Sequence, residues 1–324
     1  MTLPVSVNLM PEAPIGEVVE LAVLAERLGY ARCWVYDEGL VTRDVYVTLA
    51  AIAGRTDRIS LGPGITNPYV RHPGATAAAV ASLDELSAGR AFLGLGAGGG
   101  LTLGPLGIER DRPLTAVREM IDTLRRLFAG ERVDHRGHTF SFENAALPYG
   151  RPDIEIHLAG RGPKMTALGG ERADGFSLSY IHKSVLGDHA RSLRLAAGDR
   201  PFLISYSTMV ATTDQAIEDA RAQLTFRLVD SPPDVKQLIG MTDEDTAALR
   251  AALADGGPRA AAAHVRPEWV TDFVIVGSPA ECARELKELM SANHIDEFLL
   301  PVHEVDGAAD VIERTAIMFG ADQP

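Results

Sequence analysis

Short apolar runs alternate with amphipathic stretches along most of the chain, and the order of the two is its most informative property. VSVNLM (5–10) predicts a buried strand, after which Val18, Leu21, Ala22, Ala25 and Leu28 recur at helical spacing up to Gly29. ARCWVY (31–36) and ISLGPG (59–64) predict two more strands, followed by helices over 44–54 and 72–89. AFLGLG (91–96) leads through a glycine-rich loop to a helix over 113–130, and 133–142 predicts a small hairpin. IEIHLAG (154–160), DGFSLS (174–179), PFLISYSTMVAT (201–212) and EFLLPV (297–302) complete a set of eight strands. Helices are expected after Asp214, after Ser278 and over 307–319.

Eight strands alternating with helices predict an α/β fold, a single (β/α)8 TIM-type barrel domain over 1–324. Periodicity does not show closure, so a doubly wound open sheet is the competing arrangement. The stretch 213–271 is too long for a barrel connection and predicts a helical insertion between strands seven and eight.

Composition narrows the function classes. The 324 residues are 46% hydrophobic, and no run of eighteen apolar residues occurs. The N-terminus lacks the basic-then-apolar order of a signal peptide, and two cysteines give no disulfide framework, so a cytoplasmic protein is expected. A net charge of −13 repels nucleic acid and anionic membranes. An anionic small molecule then needs local help from backbone N–H groups and a few cations.

In a barrel the chemistry gathers where strands run into their following helices. Those junctions carry Asn8; Asp37 and Glu38; Gly64, Ile65, Thr66 and Asn67; Gly96, Ala97 and Gly98; Ser179, Tyr180 and His182; His303 and Glu304. Gly160, Arg161, Gly162, Pro163, Lys164 and Met165 read either as a phosphate cradle at a helix start or as a plain turn. GLGAGG (94–99) matches G-x-G-x-x-G, but the loop-like GLTLGPLGIERDRP after it argues against a dinucleotide site. Asp37 and Glu38 would point opposite ways on a strand end, one functional and the other capping a helix. His135 and His138 lack a third ligand nearby, so no metal site is expected, and no hydrolase motif occurs.

CWVYDEGLVTRDVYVTLA, LGPGITNPYVRHP, SLDELSAGRAFLGLGAG, LGIERDRPLTAVREMIDTLRRLFAGE and LAGRGPKMTALGGERADGFSLS together resemble the luciferase-like superfamily. The likeness runs over nearly the whole chain and points to the deazaflavin-dependent branch typified by methylenetetrahydromethanopterin reductase. It implies a homodimeric barrel enzyme, a coenzyme F-420-dependent oxidoreductase passing a hydride between deazaflavin C5 and an electrophilic carbon of a small-molecule substrate. It also implies a non-prolyl cis peptide at Gly64–Ile65, in a bulge that backs the ring. By the same resemblance, Gly160 to Met165 would hold the cofactor phosphate and Gly96 to Gly98 would lie along the ring or its ribityl arm. Asp37, Thr66 and Asn67 would bond the ring's polar edge or that arm. The pterin reductases carry a glutamate where this chain has Asn8, and Asp-His where it has Asp37-Glu38. Asn8 cannot exchange a proton, so Glu38 is the candidate carboxylate beside Asn8 as the catalytic pair, and Asn8, Glu38, His182, His303 and the insertion are expected to line the substrate pocket. An FMN-dependent monooxygenase and a non-catalytic flavin-binding protein are the alternatives.

Overall fold

The computed structural model describes residues 4–320. Strands β1 (Val5–Leu9), β2 (Arg32–Val35), β3 (Ser60–Pro63), β4 (Leu93–Leu95), β5 (Ile156–Ala159), β6 (Gly175–Ser179), β7 (Leu203–Ser207) and β8 (Glu297–Val302) lie parallel in one sheet. Their order is β3-β2-β1-β8-β7-β6-β5-β4. Parallel bridges Leu61–Ala91 and Thr66–Leu95 join the two ends, so the sheet closes into the expected barrel. Between these bridges the β3 side advances five residues and the β4 side four, which places one extra residue in a bulge at the seam.

Each barrel strand keeps its outward positions apolar. Val5, Val7 and Leu9, Cys33 and Val35, Ile156 and Leu158, Phe298 and Leu300 all join the main core between sheet and helices. That core takes one face of each surrounding helix: α1 (Ile15–Arg27), α2 (Val45–Ala53), α3 (Pro73–Leu86), α4 (Pro113–Phe128), α5 (Pro163–Arg172) and α6 (Leu186–Ala197). Asp44 caps α2 by accepting from the N–H groups of Tyr46 and Val47 at 3.0 and 3.1 Å, a contribution of about 1 kcal/mol. Pro73 opens α3, where His72 Nδ1 accepts from Gly74 N–H at 3.1 Å.

Inward positions decide where the barrel is filled and where it is hollow. At the N-terminal end Arg32 donates to Glu297 at 2.5 Å, and His157 lies 2.9 Å from Glu155. Above them Trp34 packs on Phe92, ring centroids 4.4 Å apart, beside Leu299. Higher still, Ser177 and Ser179 of β6 and Ser207 of β7 are too small to fill the interior. The cavity described below opens there.

Two predicted features differ in detail. The strand expected over 201–212 ends at Ser207; Thr208 turns away and donates to the Phe273 carbonyl at 2.5 Å. Val210–Ala211 then pairs with Ile275–Val276 in a separate two-stranded sheet. The segment 213–271 is helical, with α7 (Asp214–Val229), α8 (Pro233–Leu238), α9 (Asp243–Ala261) and α10 (Pro267–Phe273) built on a second hydrophobic cluster around Leu224, Leu249 and Trp269. Helices α11 (Pro279–Ala292) and α12 (Ala308–Phe319) complete the barrel. The hairpin pairs Val133–Arg136 with Ser141–Ala145. The loop after Gly99 is not wholly irregular, since Gly100–Leu103 forms one helical turn.

Candidate functional site

A cavity of about 330 Å³ lies at the C-terminal ends of the strands. Its floor is Trp34, Leu299 and Ile65, and Ser177, Ser179 and Ser207 line its wall. One side is the β3 bulge, where the Gly64–Ile65 peptide is cis. Gly64 N–H donates to the Val35 carbonyl at 2.6 Å, and Asn8 Nδ2 donates to the Gly64 carbonyl at 2.8 Å. A Cβ at Gly64 would stand 2.7 Å from both Asn8 Oδ1 and Trp34 Cβ, so only glycine fits this close approach. The Asn8 side chain is thereby oriented, because its other amide face would set two oxygens against each other. Its Oδ1 is buried and has no hydrogen-bond partner among the described residues.

Past the end of β2 the chain supplies two carboxylates. Thr66 Oγ1 donates to Asp37 Oδ2 at 2.6 Å, and Thr102 Oγ1 donates to Glu38 Oε2 at 2.6 Å. Burial raises the pKa of both, opposed for Asp37 by Thr66 and Arg71, and for Glu38 by Thr102 and Arg227. The expectation that one faces the site while the other caps a helix does not hold geometrically, because both line the cavity. The strand pleat ends at Val35, so strict alternation no longer governs 37 and 38.

Three arginines also line the cavity. Arg110 donates to the Gly98 carbonyl at 2.9 Å, and Arg161 donates to the Arg227 carbonyl at 3.1 Å. Burial pushes Arg161 down to about 10, helped by the neighbouring Arg227 charge. Arg227 comes from α7 and stacks on Tyr180, 4.5 Å from the ring centroid. Gly160 and Arg161 line the cavity just before α5.

The structure brings Asn8, Asp37, Glu38, Gly64, Ile65, Asn67, Ala97, Gly98, Gly160 and Arg161 to this one cavity. Thr66 is buried behind it, bonded to Asp37, and Gly96 lies under Ile65. Gly162, Pro163, Lys164 and Met165 continue into the start of α5, off the cavity wall, with Lys164 exposed and Met165 packed against Gly160. His182 and His303 do not reach the wall. His182 Nδ1 instead accepts from Ser184 N–H at 3.1 Å, and its ring stands 3.7 Å from Asp272. His303 sits behind Tyr36, 3.5 Å from its hydroxyl, where burial and Arg227 push it down to about 3. Sequence reasoning missed Thr102, Arg110 and Arg227, which arrive from loops and from the insertion. The serine wall had a signal, the period-2 serines of GFSLS and LISYS.

Residues 2–293 match the model of the luciferase-like monooxygenase family. The chain belongs to that family. Among its relatives is a 5,10-methylenetetrahydromethanopterin reductase of Methanolobus tindarius, 32% identical over 293 residues, covering 88% of this chain and 90% of the relative. A reductase of the same name from Archaeoglobus fulgidus is 32% identical over 298 residues, with the same coverage of both. In fold, this luciferase-like chain superimposes on the coenzyme F420 dependent tetrahydromethanopterin reductase of Methanopyrus kandleri with a TM-score of 0.84 at 24% identity. That superposition covers 96% of this chain and 97% of the other.

Proposed function

We propose that this luciferase-like chain is a coenzyme F-420-dependent oxidoreductase acting on a small-molecule substrate. The observation that carries the reading is the pairing of a side-chain-free wall at Gly64 with Glu38, whose pKa burial raises, in one cavity. The similarity to methylenetetrahydromethanopterin reductases over most of the chain supports the choice of cofactor. The residues present fit such a group. Gly64 and Ile65 offer a flat backing, Asn8 Oδ1 is a buried acceptor without a partner among the described residues, and Gly98 approaches with φ +74° where a side chain would be strained. When bound, F-420 supplies two-electron hydride chemistry.

The remaining work falls to the chain's own groups. Asp37, fixed by Thr66, and Asn67 face the ring's polar edge; Ala97 and Gly98 flank it. Gly160 to Met165 and the start of α5 take the phosphate, with Arg161 as counter-charge. Glu38 is anchored through Oε2 by Thr102, so Oε1 is left to hold or deliver a proton at the substrate atom. Asn8 contributes no proton and instead fixes the bulge carbonyl. This set suits an activated C=C, a C=N or a pterin-like substrate. A homodimer fits the exposed apolar side chains of Leu40 (76%), Val41 (63%) and Val47 (57%). No helix among the described residues is long and apolar enough to cross a membrane, and a cytoplasmic location belongs to the same proposal.

Titration with reduced F-420 and, separately, with FMN tests the reading. Micromolar or tighter F-420 binding with much weaker FMN binding is expected; preference for FMN would move the chain to oxygen-using chemistry.

A further inference from the structure

We infer that the substrate of this cavity carries a carboxylate and that Arg227 is its receptor. The inference rests on reading the cavity as a substrate site and adds the chemical class of the substrate. Arg227 is the cation of the wall that has no acceptor for its side chain among the described residues. Arg110 and Arg161 each donate to a backbone carbonyl, whereas no hydrogen bond and no ion pair within 4.0 Å holds the Arg227 guanidinium. It is held by its face instead, stacked 4.5 Å from the centroid of the buried Tyr180 ring. Face stacking leaves the N–H edges free, and that planar fork matches a carboxylate in a two-bond geometry.

The absence of a counter-ion among the described residues is notable in a chain with 44 acidic residues against 31 basic ones. Glu38 feels the Arg227 charge, yet its carboxylate bonds Thr102 and makes no ion pair with Arg227 within 4.0 Å. The Arg227 charge is nevertheless felt at Tyr36, Glu38 and His303, groups on the ends of β2 and β8. The same charge reaches Arg161 in the loop before α5, whose side chain already donates to the Arg227 carbonyl, so of these two neighbouring cations Arg227 is the one whose side chain has no acceptor among the described residues. A cavity of about 330 Å³ is small for a ligand site, and the cofactor ring takes part of it. The acid is therefore compact.

The test is calorimetric titration of the F-420-loaded protein with benzoate and with benzamide, its uncharged counterpart, on wild type and on Arg227→Gln and Arg227→Lys. Wild type is expected to bind benzoate roughly tenfold or more tightly than benzamide. Arg227→Gln should lose that preference, and Arg227→Lys, which keeps charge but not the fork, should keep part of it. F-420 affinity should stay within about threefold in both variants, since binding lost there would mean that Arg227 serves the cofactor. Equal binding of the two probes to wild type, or no benzoate binding at about 20 mM, overturns the inference even if Arg227→Gln fails to fold. Should F-420 fail to bind while benzoate titrated into the unloaded protein still tracks Arg227, the cofactor reading falls and the receptor stands.

Discussion

Replacing Gly94 by alanine tests whether the β3–β4 seam is as tight as the cavity requires. Gly94 lies on β4, and a Cβ there would stand 2.1 Å from the Pro63 carbonyl oxygen and 2.7 Å from the Trp34 ring. The first is backbone, in the bulge itself, so no rotamer change relieves it. Overpacking of this kind costs about 1–3 kcal/mol, and a backbone obstacle puts Gly94→Ala near the upper value. Unfolding entropy of about 2 cal/mol/K per residue, over 324 residues, converts ~3 kcal/mol into a melting temperature lower by roughly 4 °C. Gly100→Ala is the control: the exposed Gly100 opens the short helical turn with nothing within 4 Å of its Cβ. It should leave stability unchanged or raise it by a few tenths of a kcal/mol up to ~1 kcal/mol. Differential scanning fluorimetry reads both, and F-420 titration reads the cavity. Gly94→Ala should also weaken F-420 at least several-fold, because relieving the contact moves the Pro63–Ile65 wall. A Gly94→Ala protein that melts and binds like wild type would refute the tight-seam argument.

Glu38→Gln keeps an acceptor for Thr102 but carries no exchangeable acid; turnover should fall roughly 10²–10⁴-fold while F-420 binding stays within a few-fold, measured by single-turnover kinetics. Arg32→Met leaves Glu297, whose side chain is 1% exposed, without its counter-charge. Breaking such a pair costs about 3–5 kcal/mol, seen as a lower denaturation midpoint. His303 is held neutral in the folded chain, pushed down to about 3 by burial and Arg227, against 6.5 for a free imidazole. Below 6.5 the unfolded chain therefore takes up the proton first, and stability declines as pH falls from 6.5 toward 3. His303→Asn should lose less stability than wild type between those limits, a comparison that pH-resolved melting curves settle.

The sequence foretold the barrel well because its outward positions, such as Val5, Val7 and Leu9, need only be apolar, and apolar periodicity is visible in one dimension. The bulge was legible for another reason: it is what the family resemblance carried by LGPGITNPYVRHP implies. The partners of those residues were not legible. Thr102 is 64 positions from Glu38, and nothing in either local pattern predicts that the hydroxyl meets the carboxylate. The surroundings of the two histidines were not legible for a related reason. His182 and His303 stand at strand ends as expected, yet His182 caps the turn at Ser184 and the half-buried His303 sits behind Tyr36.

Arg227 shows why the insertion matters to the chemistry and not just to the outline of the molecule. A barrel can place on its rim only what its own strand ends and loops carry, and here those positions are spent on the bulge, the two carboxylates and the loop before α5. A cation facing Glu38 from elsewhere needs an additional element reaching over the rim, and α7 is that element. Tyr180 holds the guanidinium by its face, while Arg161 ties the loop before α5 to the Arg227 carbonyl. Any movement of α7 relative to the barrel must therefore break a stacked pair and a hydrogen bond that both converge on the cavity. Arg227 thus ties the insertion to the loop before α5 through its backbone carbonyl while its guanidinium lines the cavity, so a side-chain substitution there changes the cavity's charge and leaves the bond from Arg161 an acceptor.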